Sequence, residues 1–218
     1  MTSELRVDAI KNVAGEEIAD LGDQFVPKYK MPDGTYASTP HFEAYSQIGG
    51  YNHSFTTTDS TSFGATSGRQ AYLTFNNVHG GNTTGFTTSS TKGASKYKVP
   101  VTGIYTLSFR CLVNTQVTSH YDTAFYITDK DDTFSDISGL YPWSAQVTEF
   151  TSSSSHGVRG FTRISESDGL SSGPGQSITI KLYKDQHVRP AIVMNATETV
   201  SIYLSNHNYF HGVLVAAL

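Results

Sequence analysis

Lys98-Val99-Pro100-Val101-Thr102-Gly103-Ile104-Tyr105-Thr106-Leu107-Ser108-Phe109 is the stretch whose reading decides the fold. Proline has no N–H to donate, so Pro100 ends ladder pairing on one side of a strand. Gly103, with no Cβ, allows a tight turn. Beyond it the period is two. Tyr105, Leu107, Phe109, Cys111 and Val113 share one face, while Thr106, Ser108 and Arg110 share the other. That alternation describes a strand with one side in a core.

Working outward, the same period recurs in short runs. Phe42, Ala44 and Ser46 alternate with Glu43 and Tyr45. Tyr72-Leu73-Thr74-Phe75 precedes Asn76-Asn77, and Ala124-Phe125-Tyr126-Ile127 precedes an acidic turn. Ile178, Ile180 and Leu182 alternate with Thr179, Lys181 and Tyr183, and Val200, Ile202 and Leu204 with Ser201, Tyr203 and Ser205. Turn residues separate the runs, and helical periodicity is missing from residue 41 onward. The pattern predicts an all-β, two-sheet antiparallel sandwich over residues 41–218.

The last run, Tyr209 to Leu218, breaks the alternation. Phe210, Gly212, Leu214 and Ala216 form one apolar face, and Val213 and Val215 make the other apolar too. A sandwich covers one side of a strand. The second must meet a neighbouring copy of the chain or a long loop; the expectation is a copy, with Phe210, Val213, Leu214 and Val215 as the core and interface positions of this strand.

Residues 1–40 differ in character and are expected to form an extension and linker. Leu5, Val7, Ile10, Ile18 and Leu21 are a lone apolar set among acids. They read as strand-turn-strand around Asn12-Val13-Ala14-Gly15, with a weak helical face as the alternative. In neither form do they make a core alone, so they are candidate contacts to identical chains or another protein, the other reading being a floppy tail. Pro27, Pro32 and Pro40, with the turn signal Pro32-Asp33-Gly34, give residues 25–40 a linker composition.

Composition excludes several functions. Of the 218 residues only 16% are charged, with a formal net charge of -4, which argues against a basic nucleic-acid footprint. The single cysteine, Cys111, rules out an internal disulfide and any multi-cysteine zinc site, and its place on an apolar face predicts inert packing. The start carries acids where a secretion signal has basic residues, and apolar runs stay far short of a membrane span.

Motifs for chemistry fail on inspection. Asp129-Lys130-Asp131-Asp132-Thr133-Phe134-Ser135-Asp136 has Phe134 where a calcium loop needs glycine and Leu140 where it needs glutamate, so it reads as a solvated acidic turn. Gly169-Leu170-Ser171-Ser172-Gly173 matches a nucleophile elbow in letters only, since Pro174-Gly175 forbids the helix that must follow. Asp122 and Glu149 are carboxylates with nothing to pair them. The histidines, including His187, His207 and His211, show no ligand spacing. The expectation is no enzyme, no metal and no cofactor. Trp143, the one tryptophan, is the candidate ligand contact; its other reading is a loop aromatic capping one end of the sandwich. Ser/Thr-rich loops are either recognition loops or plain surface.

Tyr97 to Phe109 resembles the F-x-V-P-x-x-G-x-Y-x-F-x-F signature of the complement C1q globular-head family, relatives of tumour necrosis factor. Val99, Pro100, Gly103, Tyr105 and Phe109 carry the match, and Tyr97 stands where that family has phenylalanine. Tyr209-Phe210-His211-Gly212-Val213-Leu214 resembles the terminal F-S-G-F-L-L strand, with Gly212 at the glycine. The resemblance implies a jelly roll assembled as a compact homotrimer. The collagen stalk of the animal members is missing. Instead, Leu5-Arg6-Val7-Asp8-Ala9-Ile10-Lys11-Asn12-Val13-Ala14-Gly15 resembles a segment that begins structural proteins of marine bacteriophages. Together these imply a virion protein: a fibre, knob or capsid-decoration trimer, loaded in the host cytoplasm. Residues 1–40 would hold the capsid or tail, and the head would project. The alternative is a receptor- or glycan-binding protein for host attachment.

Overall fold

The computed structural model describes residues 9–11, 17–20, 26–30, 36–46, 52–56, 70–79, 85–90, 94–115, 121–132, 149–164, 175–194, 199–203 and 208–218. Among these every regular element is a strand, and no helix is long and apolar enough to cross a membrane. The first four are β1 (Ala9–Lys11), β2 (Glu17–Asp20), β3 (Val26–Lys30) and β4 (Tyr36–Ser38). Next come β5 (His41–Tyr45), β6 (Asn52–Thr56), β7 (Gln70–Tyr72), β8 (Asn77–Val78), β9 (Phe86–Thr87) and β10 (Lys96–Lys98). Then follow β11 (Gly103–Arg110), β12 (Leu112–Thr115), β13 (Tyr121–Thr128) and β14 (Gly157–Ile164). The chain closes with β15 (Gly175–Leu182), β16 (His187–Met194), β17 (Thr199–Tyr203) and β18 (Tyr209–Ala217).

The strands form a two-sheet antiparallel jelly-roll sandwich. One sheet runs β15-β11-β18-β5-β8; the other runs β14-β13-β16-β10-β9, with β7 also paired to β16. β12 leaves β11 after Cys111 and joins a three-stranded sheet, β12-β17-β6. Between the two large sheets lies the core. β11 sends in Tyr105, Leu107 and Phe109; β18 sends Phe210 and Leu214; β5 sends Phe42 and Ala44. Phe125, Ile127, Val188, Ile192 and Tyr97 meet them from the facing sheet. The rings pack edge to face, the arrangement that aromatic quadrupoles favour. Phe42 and Phe210 stand 4.7 Å apart at 78°, and Phe109 and Phe125 5.1 Å apart at 86°. Tyr97 tilts over Phe42 at 4.3 Å, and Tyr105 donates its hydroxyl to Val101 O at 2.7 Å.

β13 is buried on both sides. Phe125 and Ile127 face the main core, while Ala124 and Tyr126 join Tyr72, Val158 and Ala191 in a second cluster. The uninterrupted apolar run Ala124–Ile127 is therefore a strand without a wet face.

Three sequence expectations change. Residues 26–30 and 36–38, given a linker composition by their prolines, pair as β3 and β4, which extend β1 and β2 into a four-stranded sheet. Proline fits a short strand provided its nitrogen is not asked to donate. Gly103 does not make a left-handed turn; it opens β11, where any Cβ would overlap Leu214 and the Ala216 carbonyl. Its role is close approach. Ala216 leaves the core face because the register of β18 on β11 shifts between Ile104 and Tyr105, so Val215 is the extra residue of a β-bulge. Beyond the bulge the parity flips: Ala216 is exposed and Ala217 packs on the core.

Gly212 lies opposite Leu107 on one flank and Phe42 on the other, and a Cβ there would overlap the Phe42 ring and crowd Leu107. Gly212→Ala is expected to cost about 1–3 kcal/mol by overpacking, read as a lower urea midpoint. A second change, Phe42→Leu, should recover part of that loss.

Candidate subunit interface

The outward side of the sheet β15-β11-β18-β5-β8 is assembled by cross-strand register. Thr179, Thr106, Val213 and His41 form one row, and Ser177, Ser108, His211 and Glu43 the next. Arg110, Tyr209 and Tyr45 form a third. Hydroxyls tie the rows: Thr106 Oγ1 meets Thr179 Oγ1 at 3.0 Å, and Ser108 Oγ meets His211 Nδ1 at 3.3 Å. Tyr45 stacks on His79 at 4.3 Å.

The exposed large hydrophobic side chains among the described residues are Tyr209 (37%), Val215 (61%) and Leu218 (54%). All belong to β18 or its end. Half-buried Val213 and Ile104 extend the patch. They are strung along β18, with Tyr209 at its start and Val215 and Leu218 at its end, so the face carries an apolar line that a partner could cover. Tyrosine and arginine, as in the Arg110–Tyr209–Tyr45 row, are the types enriched in the centres of interfaces.

Of the residues singled out from sequence, Phe210 and Leu214 point into the core, while Val213 and Val215 point outward. Val99, Gly103, Tyr105, Phe109 and Gly212 are buried, and Pro100 is half-buried between β10 and β11. Cys111 is fully buried, and that burial pushes its thiol pKa far up. Ile10 and Ile18 lie in β1 and β2, which pair antiparallel, as strand-turn-strand requires. Leu5, Val7, Leu21, Trp143, His207 and the Gly169–Gly173 string lie outside the described residues. Asp122 is buried and Glu149 exposed. No group of metal-ligating side chains is present among the described residues.

The acidic turn departs from expectation. Asp131 is exposed beside Lys130, but Asp132 is drawn into the protein. The backbone turns left-handed there, with φ 58°, a conformation aspartate tolerates better than most residues. Its carboxylate accepts two hydrogen bonds from Arg189, both 2.6 Å, one from Lys96 Nζ at 2.7 Å and one from Thr128 Oγ1 at 2.7 Å. The reason lies in the sheet. Tyr97 pairs with Val188, so Lys96 on β10 sits beside Arg189 on β16. Like charges abreast on neighbouring strands repel, and Arg189 is completely buried. Asp132 supplies the countercharge to both. Burial alone would raise its pKa, but the bonds from Arg189, Lys96 and Thr128 hold it far below the usual carboxylate range. His187, next on β16, donates Nδ1–H to Asp129 O at 3.2 Å; burial lowers its pKa against the pull of that carbonyl and of Asp132. Sequence gives no signal for this cluster, because its members are 57 and 36 residues from Asp132.

Compared with solved structures, the chain is similar to the structure of Eiger TNF from S. frugiperda, with TM-score 0.51 at 8% identity over 83% of this chain and 94% of that one. The globular domain of zebrafish complement 1qA protein gives TM-score 0.48 at 11% identity over 82% and 99%. Murine APRIL gives 0.46 at 14% identity over 83% and 100%. At such identity the likeness is one of fold: the head is a jelly roll of the Eiger TNF kind. No family model matches the chain, and no curated protein matches it.

Asp132→Asn leaves Arg189 buried without its countercharge and is expected to cost about 3–5 kcal/mol of stability in urea unfolding. The double change Asp132→Leu/Arg189→Met should recover most of it. The pH dependence has two steps. His187 has a depressed folded pKa, so its contribution is full above about pH 6.5 and declines as pH falls below that. Asp132, also depressed, keeps its contribution until below about pH 4. Unfolding free energy should therefore fall twice on acidification, and His187→Gln should remove the first fall.

Proposed function

We propose that the chain is a structural subunit of a bacteriophage virion whose jelly-roll head assembles as a homotrimer through the outward face of β15-β11-β18-β5-β8. The carrying observation is that Tyr209, Val215 and Leu218, the large hydrophobic side chains left exposed among the described residues, all gather at β18. Burying them against a copy of the chain removes apolar area from water, the main favourable term in association. The two flanks of the face also complement each other in charge, with Glu43 on β5 and Arg110 and Lys181 on β11 and β15. A cyclic trimer sets one flank of each copy against the other flank of the next.

The virion half of the reading rests on the resemblance of Leu5–Gly15 to segments that begin phage structural proteins. Residues 1–40 would attach the trimer to capsid or tail, and the head would project away from it. The role is mechanical and adhesive, with no catalytic step.

Two measurements test this. The full chain should sediment at three times its 23.7 kDa monomer mass, and Val213→Glu/Val215→Glu should give folded monomers with an unchanged far-ultraviolet circular dichroism spectrum. A chain lacking residues 1–24, expressed in infected cells in place of the intact one, should still form trimers but be lost from purified particles. A wild-type monomer sinks the first half of the reading, and normal incorporation of the truncated chain sinks the second.

A further inference from the structure

We propose that the three-stranded sheet β12-β17-β6 opens as a unit while the sandwich stays closed, and that Asn208 is the latch that holds it shut. The inference stands apart from the subunit and virion readings above.

The small sheet repeats the order of the large one. β11, β18 and β5 are neighbours in the large sheet, and β12, β17 and β6, their partners along the chain, are neighbours in the small one. β11 passes into β12 through Cys111 alone. Between the sheets the ladder is broken. The last pair on the large side is Arg110 with Tyr209, and the first on the small side is Leu112 with Tyr203. Cys111 alone separates the two pairs on one strand, whereas residues 204–208 separate them on the other. On the opposite flank Tyr45 pairs with Tyr209 and Asn52 with Tyr203, with residues 46–51 between. A mismatch of that size interrupts main-chain pairing. Among the described residues, β12, β17 and β6 pair with one another and with no strand of the two large sheets.

Asn208 spans the break, and it is buried. Its backbone oxygen accepts from Ser46 N at 3.1 Å, which carries the ladder of β18 on β5 one step past Tyr209. Its Oδ1 accepts from Leu112 N at 2.6 Å on the other flank. Ser46 donates its hydroxyl to Thr74 O, so Asn208 is held from the side of the sandwich. A side-chain acceptor thus stands in for the main-chain carbonyl that the interrupted ladder would have supplied. A donor withdrawn from water and left without an acceptor is costly, so this bond sets how firmly β12 is tied to β18. Segments joined to the rest of a protein by few bonds open at a lower free energy than the whole. The break also lies at the end of the sandwich opposite the one where the N-terminal strands enter. His41 opens β5 beside Val213, toward the finish of β18, while β12 leaves near its start. That outer end can yield while Phe210, in contact with Phe42 and Phe125, keeps the two layers locked.

Peptide-resolved hydrogen exchange of the full chain in native buffer tests this. The amides of β12, β17 and β6 are expected to exchange together, about tenfold or more faster than those of β11 and β13. Added urea below the unfolding transition should change their rates little, because a local opening exposes little surface. Asn208→Ala keeps the backbone bond to Ser46 and removes the one to Leu112. It should speed exchange in the three small strands about tenfold further and leave β11 and β13 as they are. Small-sheet amides that exchange at the rate and with the urea dependence of β11 overturn the inference, and this wild-type comparison decides even where the variant does not fold. A folded Asn208→Ala chain overturns it too if its small sheet exchanges as before, or if exchange in β11 rises by the same factor.

Discussion

β18 runs between β11 and β5 in the middle of its sheet, and its alternate residues answer to two different surroundings. Inward, Phe210 and Leu214 fill the sandwich, and Gly212 leaves the gap that the Phe42 ring and Leu107 occupy. A Cβ at that position would have to push the Phe42 ring and Leu107 aside. Phe210 contacts Phe42 and Phe125, one from each sheet, so the two layers are locked through it. Outward, the same strand presents Tyr209, Val213 and Val215. The bulge at Val215 lets both demands coexist. It releases the end of the strand from strict alternation, turning Ala216 out and returning Ala217 to the core.

The second sheet solves a different problem. Its outward side buries Arg189 completely, an expensive choice unless the charge is matched. The match arrives from the turn after β13, where Asp132 adopts a left-handed backbone and reaches back over Thr128. The turn is held from its other side by Lys130 N–H donating to Ser153 O at 2.9 Å. The carboxylate thus does two jobs: it neutralises Arg189 and Lys96, and it fixes where the chain leaves the sheet.

Much of the fold was legible in the sequence because strand burial has period two. Tyr105, Leu107, Phe109, Phe42, Ala44, Ile180 and Leu182 are buried in the order their alternation implies. What periodicity misses is anything that shifts register or joins distant segments. Ala216 fell on the wrong side because a bulge has no composition signature of its own. β3 escaped notice because proline reads as a breaker, although a short strand accommodates it. The Asp132–Arg189 pair was invisible because a charge-rich turn looks the same whether it points to water or into a sheet. The outward patch on β18 was legible in outline, since Val213 and Val215 break the polar half of the alternation. Its aromatic and charged members, Tyr45, Arg110 and Lys181, emerge only once the strands are placed side by side.

Cys111 gives the molecule an internal clock. It is the chain's one thiol, it sits in the main core at the junction of β11 and β12, and burial keeps it protonated. Alkylating reagents attack the thiolate, and only after solvent reaches it. The labelling rate in native buffer therefore reports how often and how long the sandwich stands open, with no engineered probe.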